Sequence, residues 1–204
     1  MEKVSKYKTV KDRCEGLYKE KGSKFIGIAV SCYNEAEAKD FLSSWRKEHH
    51  QSRHLCYAYR FGVNKDKFRA NDDGEPSNSA GAPILGVIKS NDLTNVLIGV
   101  VRYYGGTKLG VGGLINAYRT AGQEAINAGD IIELEVFDWY DLTFEYVDMS
   151  SVMNLLKQYD LEMHNKRFEE NCNLKVALPL TTSEAIREDL EKLETVELIS
   201  KGIY

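Results

Sequence analysis

Residues 95–121 read NVLIGVVRYYGGTKLGVGGLINAYRTA, and this stretch decides the fold. Asn95 to Val101 is a continuous apolar run, the pattern of a central strand covered on both faces. After it, Leu114, Ala117, Tyr118, Ala121 and Ala125 recur at helical spacing, and Gly129 is placed to end that helix. Between strand and helix lies a loop rich in glycine. Gly99, Gly105, Gly106, Gly110, Gly112 and Gly113 are six of the chain's 16 glycines, held within 15 positions. A strand-to-helix junction leaves backbone N–H groups free beside the positive end of the helix dipole.

Working outward, Ser23–Ser31 (SKFIGIAVS) reads as a strand rich in β-branched residues. Asn34 with Glu37 forms a capping box for a helix that buries Ala38, Phe41, Leu42 and Trp45. Leu55–Gly62 alternates, with Leu55, Tyr57, Tyr59 and Phe61 on one face, and Lys67–Asn71 pairs with it as a hairpin. Asn71–Gly81 is turn-rich, and Pro83 opens a short helix to about Lys89. Ile131–Val136 is strand-like.

Past residue 135 glycine becomes rare, and the pattern turns to strand (137–146), helix (149–159), strand (161–168), strand (172–180), helix (183–194), strand (196–201). Thr181 and Glu184 pattern as a capping box for the last helix. This βαββαβ order is the ferredoxin-like arrangement. The expected architecture is therefore α+β in two domains, 1–135 and 136–204.

The chain's 204 residues are 43% hydrophobic and 28% charged, in the range of globular proteins rather than disordered or low-complexity ones. The longest stretch without a charge, Pro76–Ile88, carries two prolines and is shorter than the 18 or so residues of a membrane helix. No secretory signal is legible at the N-terminus, and Cys14, Cys32, Cys56 and Cys172 form no CxxC pair. A cytoplasmic protein with free structural thiols and no membrane association is expected.

The net charge of −4 hides a local asymmetry. Spread evenly, the 31 acids would put about five between Leu93 and Gln123; that window holds none, against Arg102, Lys108 and Arg119. Such a field beside a helix N-terminus suits an anion. Turns and close strand–helix packing account for the same glycines, and the string is neither a Walker A nor a complete GxGxxG motif.

The acidic turn Asp72-Asp73-Gly74-Glu75-Pro76-Ser77 lacks the alternating ligand spacing of an EF-hand and reads first as turn and cap chemistry. Its Asp73 and Glu75 are also candidates for recognition. His49 and His50 fall at a helix C-terminus, whereas His54 opens a strand and is the histidine with a candidate role. No GxSxG or HExxH is present. The candidate binding set is Arg102, Gly105, Gly106, Lys108, Gly110, Gly112, Gly113, Arg119, His54, Asp73 and Glu75, with no catalytic constellation, no metal and no cofactor implied.

Together, Asp72-Asp73-Gly74-Glu75-Pro76, Ser79-Ala80-Gly81, Pro83-Ile84-Leu85, Val100-Val101-Arg102-Tyr103, Gly105-Gly106, Lys108-Leu109-Gly110, Gly112-Gly113-Leu114 and Ala117-Tyr118 resemble the Impact/YigZ family. Gly22-Ser23-Lys24-Phe25 and His54-Leu55-Cys56-Tyr57-Ala58-Tyr59-Arg60 extend the resemblance over most of residues 15–130. From 138 onward the chain resembles the ferredoxin-like C-terminal domain of bacterial members. The resemblance implies an N-terminal domain of the ribosomal protein S5 domain-2-like type; both domains are similar to domains of elongation factor G.

It also implies a link to translation, since eukaryotic relatives regulate translation by binding a ribosome-associated activator of a stress kinase. The family has no agreed catalytic residues. Asn116 stands where an Arg is usual, Arg53 where a small residue is usual, and Ser79 where Thr is usual. The function expected is a translation-associated binding protein that contacts RNA, the ribosome or a translation-associated protein through the glycine-rich face of the first domain. The alternative is an enzyme acting on a small phosphate- or carboxylate-bearing ligand at the same loop.

Overall fold

The computed structural model describes residues 5–169 and 171–203. The central apolar run is strand β6 (Val96–Tyr103), every residue of it buried except the half-buried Tyr103. Around it stand β2 (Cys14–Glu20), β3 (Ser23–Ser31), β4 (His54–Phe61) and β5 (Lys67–Asn71), in the order β2-β3-β6-β4-β5 with every pairing antiparallel.

The alternation of β6 explains its burial. Val96, Ile98 and Val100 join a core with helices α2 (Gly81–Ser90) and α3 (Gly110–Asn127); Leu97 and Val101 join a separate core with α1 (Glu35–Glu48). Gly99 on the second face makes room for Trp45, whose ring would lie 2.7 Å from an added Cβ. The α1 start holds the expected Asn34–Glu37 pair in capping-box-like form: the Asn34 side chain accepts from the Glu37 N–H at 3.0 Å, and Glu37 Oε2 accepts from the N–H of Tyr33, one residue before the N-cap, at 2.9 Å.

Helix α3 lies almost backbone to backbone on the sheet. A Cβ at Gly27 would stand 2.0 Å from the Ala121 carbonyl oxygen, and one at Gly16 would stand 2.3 Å from the Glu124 carbonyl carbon. Two strands that sequence patterning did not yield, β1 (Lys6–Val10) and β2, complete this part. β1 pairs with β7 (Ile131–Glu135) as a separate two-stranded sheet.

Contacts divide the described residues into two compact units, Tyr7–Leu134 and a second made of residues 5–6 with those from Glu135 onward. The second unit runs β8 (Phe137–Phe144), a 3₁₀ turn, α4 (Met149–Gln158), β9 (Met163–Phe168), β10 (Cys172–Pro179), α5 (Ser183–Glu191) and β11 (Glu197–Ile203). Its sheet order, β11-β8-β10-β9, is all antiparallel. This is the ferredoxin-like topology. The chain is therefore of the α+β class in two parts, a five-stranded antiparallel sheet with helices and a ferredoxin-like second part.

Tyr140, Leu142, Phe144, Leu174, Val176 and Leu178 meet α4 and α5 in one core. The cap of α5 differs from the expected Thr181–Glu184 box. Thr182 holds the N-cap position without a side-chain bond to the helix. Its N–H donates to the Pro179 carbonyl at 2.9 Å, a tight turn that moves the helix start one residue onward. Among the described residues no helix is long and apolar enough to cross a membrane.

Candidate functional site

Strand β4, the acidic turn after β5 and the N-terminus of α3 meet within the first unit around a cleft of about 480 Å³. The turn is built by its own polar groups. Asp72 Oδ1 accepts from the N–H groups of Ala80 (3.0 Å) and Gly81 (2.8 Å), and its Oδ2 accepts from Asn78 (2.8 Å), so this carboxylate caps α2. Asp73 has φ +43° and Gly74 φ +84°, two successive left-handed residues, and the Glu75 N–H closes the turn on the Asp72 carbonyl. Asp73 Oδ2 accepts from the Leu55 N–H at 2.7 Å and from Arg46 Nη2 at 2.8 Å, which ties the turn to the start of β4.

That tie fixes His54. Its Nδ1 lies 2.7 Å from the Asp73 carbonyl oxygen. A carbonyl only accepts, so Nδ1 carries the proton and Nε2 is the acceptor of the neutral ring. His54 lines the cleft.

Glu75 reaches inward. Its side chain is 5% exposed and pairs with Arg102, itself 8% exposed, at 2.6 Å, while the Tyr118 hydroxyl donates to the same oxygen at 2.7 Å. Burial, with Cys56 and Glu75 close by, pushes the Tyr118 phenol far above its ordinary value, so it stays a donor. Burial likewise pushes the Cys56 thiol up. Arg102 stands over the rings of Phe25 and Tyr104 at 5.4 and 5.5 Å, and its Nε is buried without a hydrogen-bond partner. The positive field of the acid-free window is thus partly answered by a carboxylate 27 residues upstream.

Helix α3 begins at the cleft. Leu109 is its N-cap, without a side-chain cap bond, and its first turn carries no acid. Lys108 and Arg53 stand in the cleft wall, exposed and without an ion pair among the described residues. Pro76, Leu109, Val111 and Leu114 give the cleft an apolar side, with the half-exposed ring of Tyr104 beside it.

The structure thus brings Arg102, Lys108, Gly110, His54 and Glu75 to one cleft. Asp73 supports it from behind through His54 and Leu55. Gly105 serves close packing: an added Cβ would stand 1.9 Å from the Gly22 carbonyl carbon. Gly106 takes φ +88° in open space, Gly112 has open space around it, and Gly113 faces Leu109. Arg119 lies elsewhere, in a depression between α2 and α3 with Gly86, Ser90 and Gln123. Asn116 donates weakly to the Tyr18 hydroxyl at 3.4 Å. Tyr118, through Glu75, and Arg53 join this arrangement without belonging to the expected binding set, Arg53 being signalled only by its place beside His54. Among the described residues no group of three or more His, Cys, Asp or Glu side chains is placed to hold a metal ion.

A five-stranded sheet with helices on both faces, a cleft at the start of its last helix and a ferredoxin-like second unit define a class of two-domain α+β protein. Residues 21–126 match the Impact N-terminal domain. The chain is 32% identical to the IMPACT family member YvyE of Bacillus subtilis (strain 168) over 187 residues, covering 92% of this chain and 86% of that one. It is 34% identical to the IMPACT family member YigZ of Escherichia coli (strain K12) over 161 residues, 78% and 79% of the two chains. A crystal structure described as that of a hypothetical protein aligns over 97% of this chain and 98% of its own, at 28% identity and a TM-score of 0.75. The chain belongs to the Impact family.

Proposed function

We propose that this chain is a translation-associated binding protein that contacts RNA through the cleft-bearing face of its first unit. One observation carries the reading. Arg53 and Lys108, neither paired with a described acid, stand at an uncapped helix N-terminus, and the carboxylate in the wall, Glu75, is already engaged by Arg102 and Tyr118. Such a face attracts phosphate. Membership of the Impact family supports the link to translation.

The test is fluorescence anisotropy with a single-stranded RNA. Two phosphate contacts weaken binding roughly sevenfold from about 50 to about 200 mM salt. Arg53→Glu combined with Lys108→Glu removes it. Affinity indifferent to salt, or a double variant that binds as before, overturns the reading. Absence of RNA binding at low salt moves the translation link to a protein partner.

An enzymatic reading draws on a second observation, that His54 and Glu75 share the cleft with the helix N-terminus. Glu75 is held by two donors, which leaves His54 Nε2 for acid–base work on a bound phosphate or carboxylate ester. Phosphate release from a monoester substrate, lost in His54→Gln, supports this reading; turnover that persists in that variant removes His54 from it.

A further inference from the structure

We infer that the cleft of the first unit takes the phosphate monoester of a single nucleotide, free or at the end of an RNA strand. The inference rests on the anion-binding reading above and narrows it from a charged face to a pocket with one occupant.

Size is the first argument. A cleft of about 480 Å³ falls in the range of small-ligand pockets and has room for one nucleotide.

Charge is the second. An internal phosphodiester carries one negative charge, whereas a terminal monoester carries about −1.5 to −2 at neutral pH and three acceptor oxygens. The cleft offers Arg53 and Lys108 without ion pairs, and the free N–H groups of an uncapped 18-residue helix. That concentration of positive potential suits the doubly charged group.

A third feature of the cleft is independent of the helix end. The Arg102 side chain is more than nine-tenths buried, lines the cleft, and spends only Nη1 on Glu75. Its Nε is buried with no acceptor. A buried donor left unpaired is costly, and Arg102 adds to the cleft wall a cation whose donors exceed the single carboxylate oxygen that holds it.

The remaining wall distinguishes a nucleotide from inorganic phosphate. Val111 is 53% exposed and Tyr104 47% exposed, large side chains left on the surface beside Pro76 and Leu109. An apolar and aromatic surface next to a phosphate subsite offers a base a place to stack.

The experiment uses the full chain. Isothermal titration compares adenosine 5′-monophosphate, adenosine and inorganic phosphate. In parallel, a labelled single-stranded RNA is competed with unlabelled copies ending in 5′-phosphate, 3′-phosphate or hydroxyl. The monophosphate is expected to bind at least about tenfold more tightly than adenosine or inorganic phosphate, and Lys108→Ala to remove about tenfold of that affinity. One phosphorylated end is expected to outcompete the hydroxyl end by a similar factor if the natural source is an RNA terminus. Equal binding of monophosphate and adenosine, with no end preference, overturns the inference even if salt-dependent RNA binding persists. Binding of the monophosphate without any RNA binding overturns the RNA-contact reading and assigns the cleft to a free nucleotide. Binding unchanged in both Lys108→Ala and Arg53→Ala places the ligand outside the cleft and overturns the inference.

Discussion

The first unit wraps its five-stranded sheet in helices on both faces, whereas the second covers one face of its four strands and leaves Trp139, Asp141, Thr143 and Lys175 half-buried on the other. A sheet covered twice has no open surface of its own. Its chemistry has to gather where strands end and helices begin, and that is where the cleft lies. The charges follow the same division. Residues 7–134 hold 18 Lys and Arg against 15 Asp and Glu, and the rest of the chain holds 9 against 16. In the second unit Lys201 pairs with Asp141, Lys192 with Asp189 and Arg187 with Glu191, and Lys175 stands over the Trp139 ring. In the first, Arg13, Arg46, Lys65 and Arg102 are paired in the same way, while Arg53 and Lys108 line the cleft without an ion pair among the described residues.

The two tryptophans of the chain fall one in each unit, so Trp45 and Trp139 report the units separately. The harshest test of the comparison is Glu75→Ala, which leaves the buried Arg102 uncompensated. A loss of about 3 to 5 kcal/mol is expected in urea unfolding followed at Trp45, with the Trp139 transition unmoved. Equal shifts at both would show that the units unfold together.

Gly27→Ala comes next. The added Cβ would meet the Ala121 carbonyl at 2.0 Å, and about 2 to 3 kcal/mol should be lost from the same transition. An unchanged midpoint would mean that strand and helix separate freely.

A smaller effect comes from pH. Burial raises the Cys14 and Cys56 thiols and pushes Cys32 up to about 11. A raised native value favours the folded state below the ordinary thiol value and loses that contribution as pH climbs past it. The Trp45 melting temperature is therefore expected to fall from about pH 9 upward. A flat profile to pH 11 would contradict it. Least of all should be felt in Lys201→Ala, which removes an ion pair to Asp141 whose side chains are 40% and 44% exposed. A change of less than about 0.5 kcal/mol at Trp139 is expected, and a larger one would make that surface pair structural.

Where the sequence was legible, one local pattern carried the information. The apolar run of β6, the stripe of α3 and the Asn34–Glu37 box are each written within a few residues. β2 was not legible because its face toward α3 is made small: Gly16 admits the helix backbone directly, which erases the apolar alternation that marks a strand. The grouping of residues at the cleft was legible only in part. The acid-free loop does lie at the helix end that borders the cleft, but the Arg102–Glu75–Tyr118 network joins positions 27 and 43 residues apart, and no spacing rule links them. Arg119 shares the loop's charge pattern and not its place, since its turn of α3 faces α2.

The contact of Gly16 and Gly27 with α3 has a consequence for how this molecule can change over generations. The helix is seated on the sheet by main chain against main chain, so its position is set by atoms that every residue shares. The apolar side chains around it can then be exchanged for others of similar volume, and the point at which the helix begins will stay where it is. Drift in the core and the address of the cleft are separate matters, joined only at the few glycines that no side chain can replace.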